Sequence, residues 1–263
     1  MSVARRIAAA VVPDALKRRH ERWTTDRYLA AVRGPTEEYV RRNGLSVRHG
    51  PFAGLEYLPD GQSWSDDLVA KLAGTYEQEL QPVVGEWIAA GHAHVVDVGC
   101  AEGYYAAGFA LAMPGTRVHA FDIEPAARER CAAMAAHNGL GERLTVGAAC
   151  TPETLAALPP DGVALLADCE GCERALLDPA AVPNLARWAI LVELHEFLDP
   201  GIADTIAARF EPTHEVTLID EAPRDGARIP ELAFMDAAAR RTVLDERRPA
   251  QMRWAAMRPR ATA

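Results

Sequence analysis

The run from Val95 to Tyr105 is apolar at first and then turns through Gly99 and Gly103. Glycine at 99 lets the backbone turn tightly and approach a ligand, where a side chain would block it. Gly103 opens a helix beside the turn, as nucleotide-type loops of open α/β sheets require. A glycine pair alone is weak, since any strand-to-helix turn favours glycine. Asp122 strengthens it, because it ends the next apolar run 23 residues after Gly99. A carboxylate at that distance can accept both ribose hydroxyls of a nucleoside. The dinucleotide fingerprint Gly-x-Gly-x-x-Gly is not met: Gly-Cys-Ala-Glu-Gly stands there, with Asp97 two residues ahead. No tight pyrophosphate cradle is written.

A second group lies further along. Asp168 and Glu170 follow the apolar run from Val163, and Glu193, His195 and Glu196 follow the run from Ala189. Side chains at such positions can face one crevice, because open sheets bind ligands beyond the carboxyl ends of their strands. His195 is expected to be a general base flanked by Glu170 and Glu193, since an imidazole with a pKa near about 6.5 suits proton removal at neutral pH. Asp168, Glu170, Glu193 and His195 also offer ligands to a divalent cation; the site is read as metal-free. Glu173 reads as a first-turn acid favoured by the helix dipole. Cys169 and Cys172 have the spacing of a redox or zinc pair, but without a second pair or paired histidines they read as structural. Trp64, Tyr104 and Tyr105 could wall an acceptor pocket or be plain core.

These residues need a scaffold. From His94 short apolar runs alternate with helical segments, which predicts a doubly wound, Rossmann-like α/β sheet, seven-stranded and mostly parallel. Strands are expected at 94–98, 117–122, 144–148, 163–168, 189–194, 214–219 and 253–257. Helices are expected at 103–112, 126–138, 152–157, 173–177 and 202–209. Residues 1–50 read as helices broken at Gly34-Pro35, 49–65 as a small hairpin or irregular cover, and 67–90 as one helix. The division is a helical and irregular N-terminal cap, residues 1–90, and a core, residues 91–263.

The core motif resembles that of the class I S-adenosylmethionine-dependent methyltransferases, an acidic residue two places before a glycine-rich turn, matched by Asp97, Gly99 and Gly103. The resemblance implies that the loop, with Cys100, holds the methionyl part of S-adenosylmethionine, that Asp122 holds the ribose and that Ile123 packs on the adenine. Residues 148–151 lack the usual acidic adenine contact, which leaves backbone groups around Ala149, or Thr151. Asp168 would meet the cofactor ammonium and Glu170 the acceptor, with Tyr76 and Glu77 folding over the cofactor. The segment from Leu165 to Leu177 resembles the Asp-x-Glu-Gly-x-Glu segment of the FkbM-type methyltransferases through Asp168, Glu170, Gly171, Glu173 and Leu177. Pieces at 50–57, 74–80 and 246–254 extend the resemblance over roughly 47–259. It implies transfer of a methyl group to a small-molecule hydroxyl, of a sugar or secondary metabolite. N- or C-methylation, a nicotinamide dehydrogenase and a noncatalytic subunit that binds the cofactor are the alternatives.

Composition narrows the partners. The 263 residues carry a formal net charge of −9, yet residues 1–50 hold 11 basic and 5 acidic side chains. The remaining acidic body repels phosphate backbones, so nucleic acid is not expected as a substrate. The basic head reads as a solvated helix face. No apolar stretch approaches the roughly 20 residues of a membrane span, and Met1 to Val12 falls short of a signal peptide. The protein is expected to be cytoplasmic and free of membrane contacts, and a homodimer is possible. Five cysteines without framework spacing fit a reducing compartment.

Overall fold

The computed structural model describes residues 14–248 and 250–260, with side chains from residue 27 onward. The Met1 to Val12 stretch, and with it part of the basic head, lies outside the described residues.

Seven strands form one sheet: β1 (His94–Val98), β2 (Arg117–Phe121), β3 (Leu144–Gly147), β4 (Val163–Ala167), β5 (Ala189–Leu194), β6 (His214–Asp220) and β7 (Arg253–Pro259). Their order is β3-β2-β1-β4-β5-β7-β6. Neighbours among β1 to β5 pair parallel, and β7 runs antiparallel to both β5 and β6. β4 and β5 are buried at every residue, which explains why they read as unbroken apolar runs rather than alternating ones. β6 lies at the sheet edge and exposes most of its residues.

Helices cover both faces. Val95 packs into one core with α4 (Tyr104–Ala112), α5 (Pro125–His137) and the N-terminal segments. Val96 and Val98 point into the other, with Trp188 and α8 (Ile202–Phe210). Because β1 pairs with β2 on one side and β4 on the other, the chain reverses its winding direction there, and a crevice opens at the carboxyl ends of these strands.

The cap departs from expectation in two places. α1 (Asp14–Asn43) is continuous through Pro35. The residue before a proline is normally driven out of the helical region by a clash with its own Cβ, and Gly34 has none. Conversely, residues 67–90 are not one helix but α2 (Leu68–Leu72), a 3₁₀ turn (Gln78–Leu80) and α3 (Gln81–Ala90). Gly74 (φ 71°) and Glu77 (φ 44°) turn left-handed between them. A Cβ on Gly74 would come within 2.1 Å of the His49 carbonyl oxygen, so the cap backbones touch there. The hairpin is present around residues 46–56, with Val47 N–H donating to Leu55 (2.8 Å) and Tyr57 N–H to Leu45 (2.8 Å). No helix among the described residues is long and apolar enough to cross a membrane.

Candidate functional site

Two adjoining cavities occupy the crevice. The first, of about 370 Å³, lies over the turns that follow β1, β2, β3 and β4. Asp97, near the end of β1, lines it at 1% exposure, and neither carboxylate oxygen has a hydrogen-bond partner. Burial pushes its pKa up to about 7; the nearby Ala106 amide pulls the other way without forming a hydrogen bond to either oxygen. A buried acceptor left unpaired costs free energy unless a ligand group meets it.

Asp122 sits just past β2, in the same cavity. Its two oxygens accept the Ala101 N–H (3.0 Å) and the Glu124 N–H (2.8 Å), so the β1 and β2 turns are tied together through one carboxylate. Ile123 is 76% exposed at the rim, beside Ala149 and Cys100. Thr151 faces elsewhere: it caps α6 (Pro152–Ala156) by accepting the Thr154 N–H at 3.2 Å.

Both glycines sit where the turn needs them: Gly99 (φ 87°) lines the cavity and Gly103 (φ 96°) caps α4. Gly99 has a further task, since a Cβ there would lie 1.7 Å from the Asp168 carbonyl oxygen, so the β1 turn touches the β4 turn. Gly103 does not line the cavity; a Cβ there would press on Cys131 Sγ of α5 at 3.0 Å.

The cap closes the first cavity with Lys71 and Tyr76. Lys71 Nζ is buried between Glu102 (2.6 Å) and Asp67 (3.0 Å), and lies 4.6 Å from the Tyr76 ring centroid. Burial works to lower its pKa, but the two carboxylates outweigh it and the ammonium is held. Trp64, Tyr104 and Tyr105 line this cavity rather than a separate acceptor pocket.

The second cavity, also about 370 Å³, shares Tyr76, Asp168 and Glu170 with the first. His195, 3% exposed, stands at its base. Nδ1 meets Glu173 at 2.6 Å, while Nε2 lies 3.2 Å from Glu193 and 3.4 Å from Asp168. Burial alone would lower the His195 pKa, yet these carboxylates raise it to about 10. The expectation of a free imidazole base near neutrality is therefore corrected, because carboxylates occupy both nitrogens. Glu173 is the first-turn acid of α7 (Glu173–Leu176), as expected, but it is 1% exposed and also accepts the Gly171 N–H (3.1 Å).

Glu77 is corrected too, since it lines the second cavity and not the first. It accepts from Tyr105 OH (2.5 Å) and pairs with Arg248 (2.8 Å). Burial dominates and pushes its pKa up to about 8 despite Arg248. Arg248 also pairs with Glu193 and with Glu246, and Arg224 bridges Glu246 (2.6 Å) and Glu79 (2.7 Å). Glu170 (φ 48°) forms no ion pair with a described residue.

Cys169 and Cys172 are joined in a disulfide across the turn that carries Glu170. The two cysteines are thus paired with each other and hold the turn closed. Cys100, Cys131 and Cys150 are free.

No protein-family model matches the sequence, and no curated protein matches it. Solved structures resemble parts of the chain at low identity. One is a precorrin-6y C5,15-methyltransferase from Geobacter metallireducens, at 15% identity over 54% of this chain and 76% of that one, TM-score 0.41. Another is the C-terminal domain of the Rhodobacter capsulatus precorrin-6Y C5,15-methyltransferase, at 16% over 68% and 89%, TM-score 0.41. A third is a precorrin 8w decarboxylase from Methanobacterium thermoautotrophicum, at 17% over 68% and 89%, TM-score 0.43.

The structure thus brings Asp97, Gly99, Cys100, Asp122, Ile123, Ala149, Tyr76 and Asp168 to the first cavity, and Glu170, Glu193, His195 and Glu77 to the second. Sequence reading missed the roles of Glu173, Arg248 and Lys71. Glu173 and the ionic segment at 246–248 drew notice, but not their partners, which for Arg248 lie up to 171 residues away.

Proposed function

We propose that the chain is an S-adenosylmethionine-dependent methyltransferase of the FkbM type that methylates a hydroxyl of a small molecule, such as a sugar or secondary metabolite. The observation that carries this reading is Asp97: a buried carboxylate without a partner, in a cavity that also holds Asp122. A cationic ligand group would satisfy the first carboxylate and a hydroxylated ring the second. The cofactor's ammonium and ribose have that chemistry, and exposed Ile123 offers an apolar face to adenine. When bound, the cofactor supplies a methyl group on a positively charged sulfur.

The chain's own residues have to position an acceptor and take its proton. Tyr76 and Asp168 border both cavities, so an acceptor in the second meets the first there. Glu170, at the same junction and in no ion pair with a described residue, is the proton acceptor; both His195 nitrogens are already engaged. The hydroxyl proton goes to the Glu170 carboxylate, the oxygen's electron pair forms the new O–C bond, and the pair of the broken S–C bond stays on sulfur.

The test is a screen of hydroxylated small molecules with S-adenosylmethionine, read by the mass of one added methylene and by product structure. Activity that falls at least about a hundredfold in Glu170→Gln is expected. Product carrying the methyl on nitrogen or carbon would overturn the O-methylation reading.

A further inference from the structure

We propose that Asp168, Glu193 and His195 form a binding site for a divalent cation, of the Mn²⁺ class, at the junction of the two cavities. The proposal rests on the methyltransferase reading only for its consequence, the choice of acceptor.

One oxygen of Asp168, one of Glu193 and a nitrogen of His195 lie within 4.8 Å of one another. His195 Nε2 is 3.2 Å from Glu193 Oε2 and 3.4 Å from Asp168 Oδ1. Adjacent ligands around a six-coordinate cation with bonds of about 2.1–2.3 Å sit about 3.0–3.3 Å apart. The two His195 separations are close to that spacing, and the Asp168 and Glu193 oxygens lie within 4.8 Å of each other, near enough for small side-chain movements to close the three around one ion. Mixed imidazole and carboxylate ligands on one face suit a first-row divalent ion better than an all-oxygen Mg²⁺ or Ca²⁺ cage.

The surroundings match that use. Histidine ligands commonly give their second nitrogen to a carboxylate, which fixes the ring and its tautomer. Here Glu173, itself held by the Gly171 amide, meets Nδ1 at 2.6 Å and leaves Nε2 turned towards the two carboxylates. Arg248 holds the other oxygen of Glu193. The Asp168 backbone is tied to β1 through its N–H on the Val98 carbonyl (2.8 Å).

Charge at the cluster is consistent with this. Of the seven carboxylates that line the second cavity, Asp67 is paired with Lys71, Glu246 with Arg224, and Glu77 and Glu193 with Arg248, while Asp66 and Glu170 are exposed. The ligand set itself sets two carboxylates against one imidazole, and a cation there would balance them. The face of the cation not covered by protein would open on this cavity. An acceptor with two adjacent oxygens, a vicinal diol or a catechol, could fill two of those positions. That places one oxygen beside the first cavity and lowers the pKa of its proton.

The experiment is titration of chelator-treated full-length protein with MnCl₂, followed by calorimetry and by electron paramagnetic resonance of free Mn²⁺. One site per chain with micromolar affinity is expected. Glu193→Gln and His195→Ala should each weaken it at least tenfold, and Glu173→Gln by about 10- to 100-fold through the His195 ring. Glu196→Gln, whose partner is Arg253, should leave it unchanged. S-adenosylhomocysteine binding on the same samples checks that each variant is folded. No Mn²⁺ bound up to millimolar concentration, or binding equal in wild type, Glu193→Gln and His195→Ala, overturns the site. Mn²⁺ binding without S-adenosylhomocysteine binding supports the site and sinks the methyltransferase reading instead.

Discussion

Asp97 shows how a single residue ties stability to function. Its folded-state pKa of about 7, against 3.8 for a free side chain, means that the folded protein holds a proton the unfolded chain has released between these values. Stability from this group therefore falls as pH rises from about 4 to about 7, by about 4 kcal/mol for the whole shift. Asp97→Asn is expected to melt higher than wild type at pH 8 in the absence of ligand, with the gap closing at pH 5. The same desolvated carboxylate attracts a ligand ammonium only when ionised. Affinity for S-adenosylhomocysteine should thus rise about tenfold from pH 6 to pH 8 in wild type and stay flat in Asp97→Asn, as calorimetry at both pH values would show. Asp122 was legible from its spacing to Gly99, and Asp97 from the motif that the resemblance supplied, because both sit within a few residues of a turn whose geometry is local. The surroundings of His195 were not, since Glu173 lies 22 residues away and pairing depends on how β4 and β5 adjoin.

Elements were legible where periodicity was strong and illegible where one residue's backbone decided. All seven strands stood out as apolar runs, and Asp97, Asp122, Asp168, Glu193 and His195 lie at their ends or just beyond. The break between α2 and α3 did not, because left-handed Glu77 has no sequence signature. Gly99 gives the sharpest test at this scale. With a Cβ 1.7 Å from the Asp168 carbonyl, Gly99→Ala must separate the β1 and β4 turns, and a loss of about 3 kcal/mol or more is expected in urea unfolding. A cost below about 1 kcal/mol would show that the two turns do not touch. The segment after α9 (Ala237–Val243) acts as a strap, since Arg248 meets Glu77 of the cap and Glu193 of β5. Arg248→Ala removes the guanidinium from those buried carboxylates, leaving Glu77 only Tyr105 and Glu193 only His195, and should cost about 3 kcal/mol by the same measurement.

At the scale of the molecule, strand order and the reversed β7 were not legible, because an apolar run reads alike in either direction. The expected sheet of seven mostly parallel strands is nonetheless the one observed, and its switch between β2 and β4 places the crevice. The cap contributes to the same core as the sheet, with Tyr39, Phe52 and Tyr57 packed in one cluster with Phe109 and Met134. Closure of the first cavity by Lys71 and Tyr76 thus follows from folding the chain as a whole. The account stands on what that cavity binds. The direct measurement is calorimetric titration of the purified protein at pH 8 with S-adenosylhomocysteine and, separately, NADH, using Asp97→Asn and Asp122→Ala as controls. Micromolar binding of S-adenosylhomocysteine, weakened at least tenfold in both variants and absent for NADH, is the result expected. Binding of NADH with none of S-adenosylhomocysteine would contradict it.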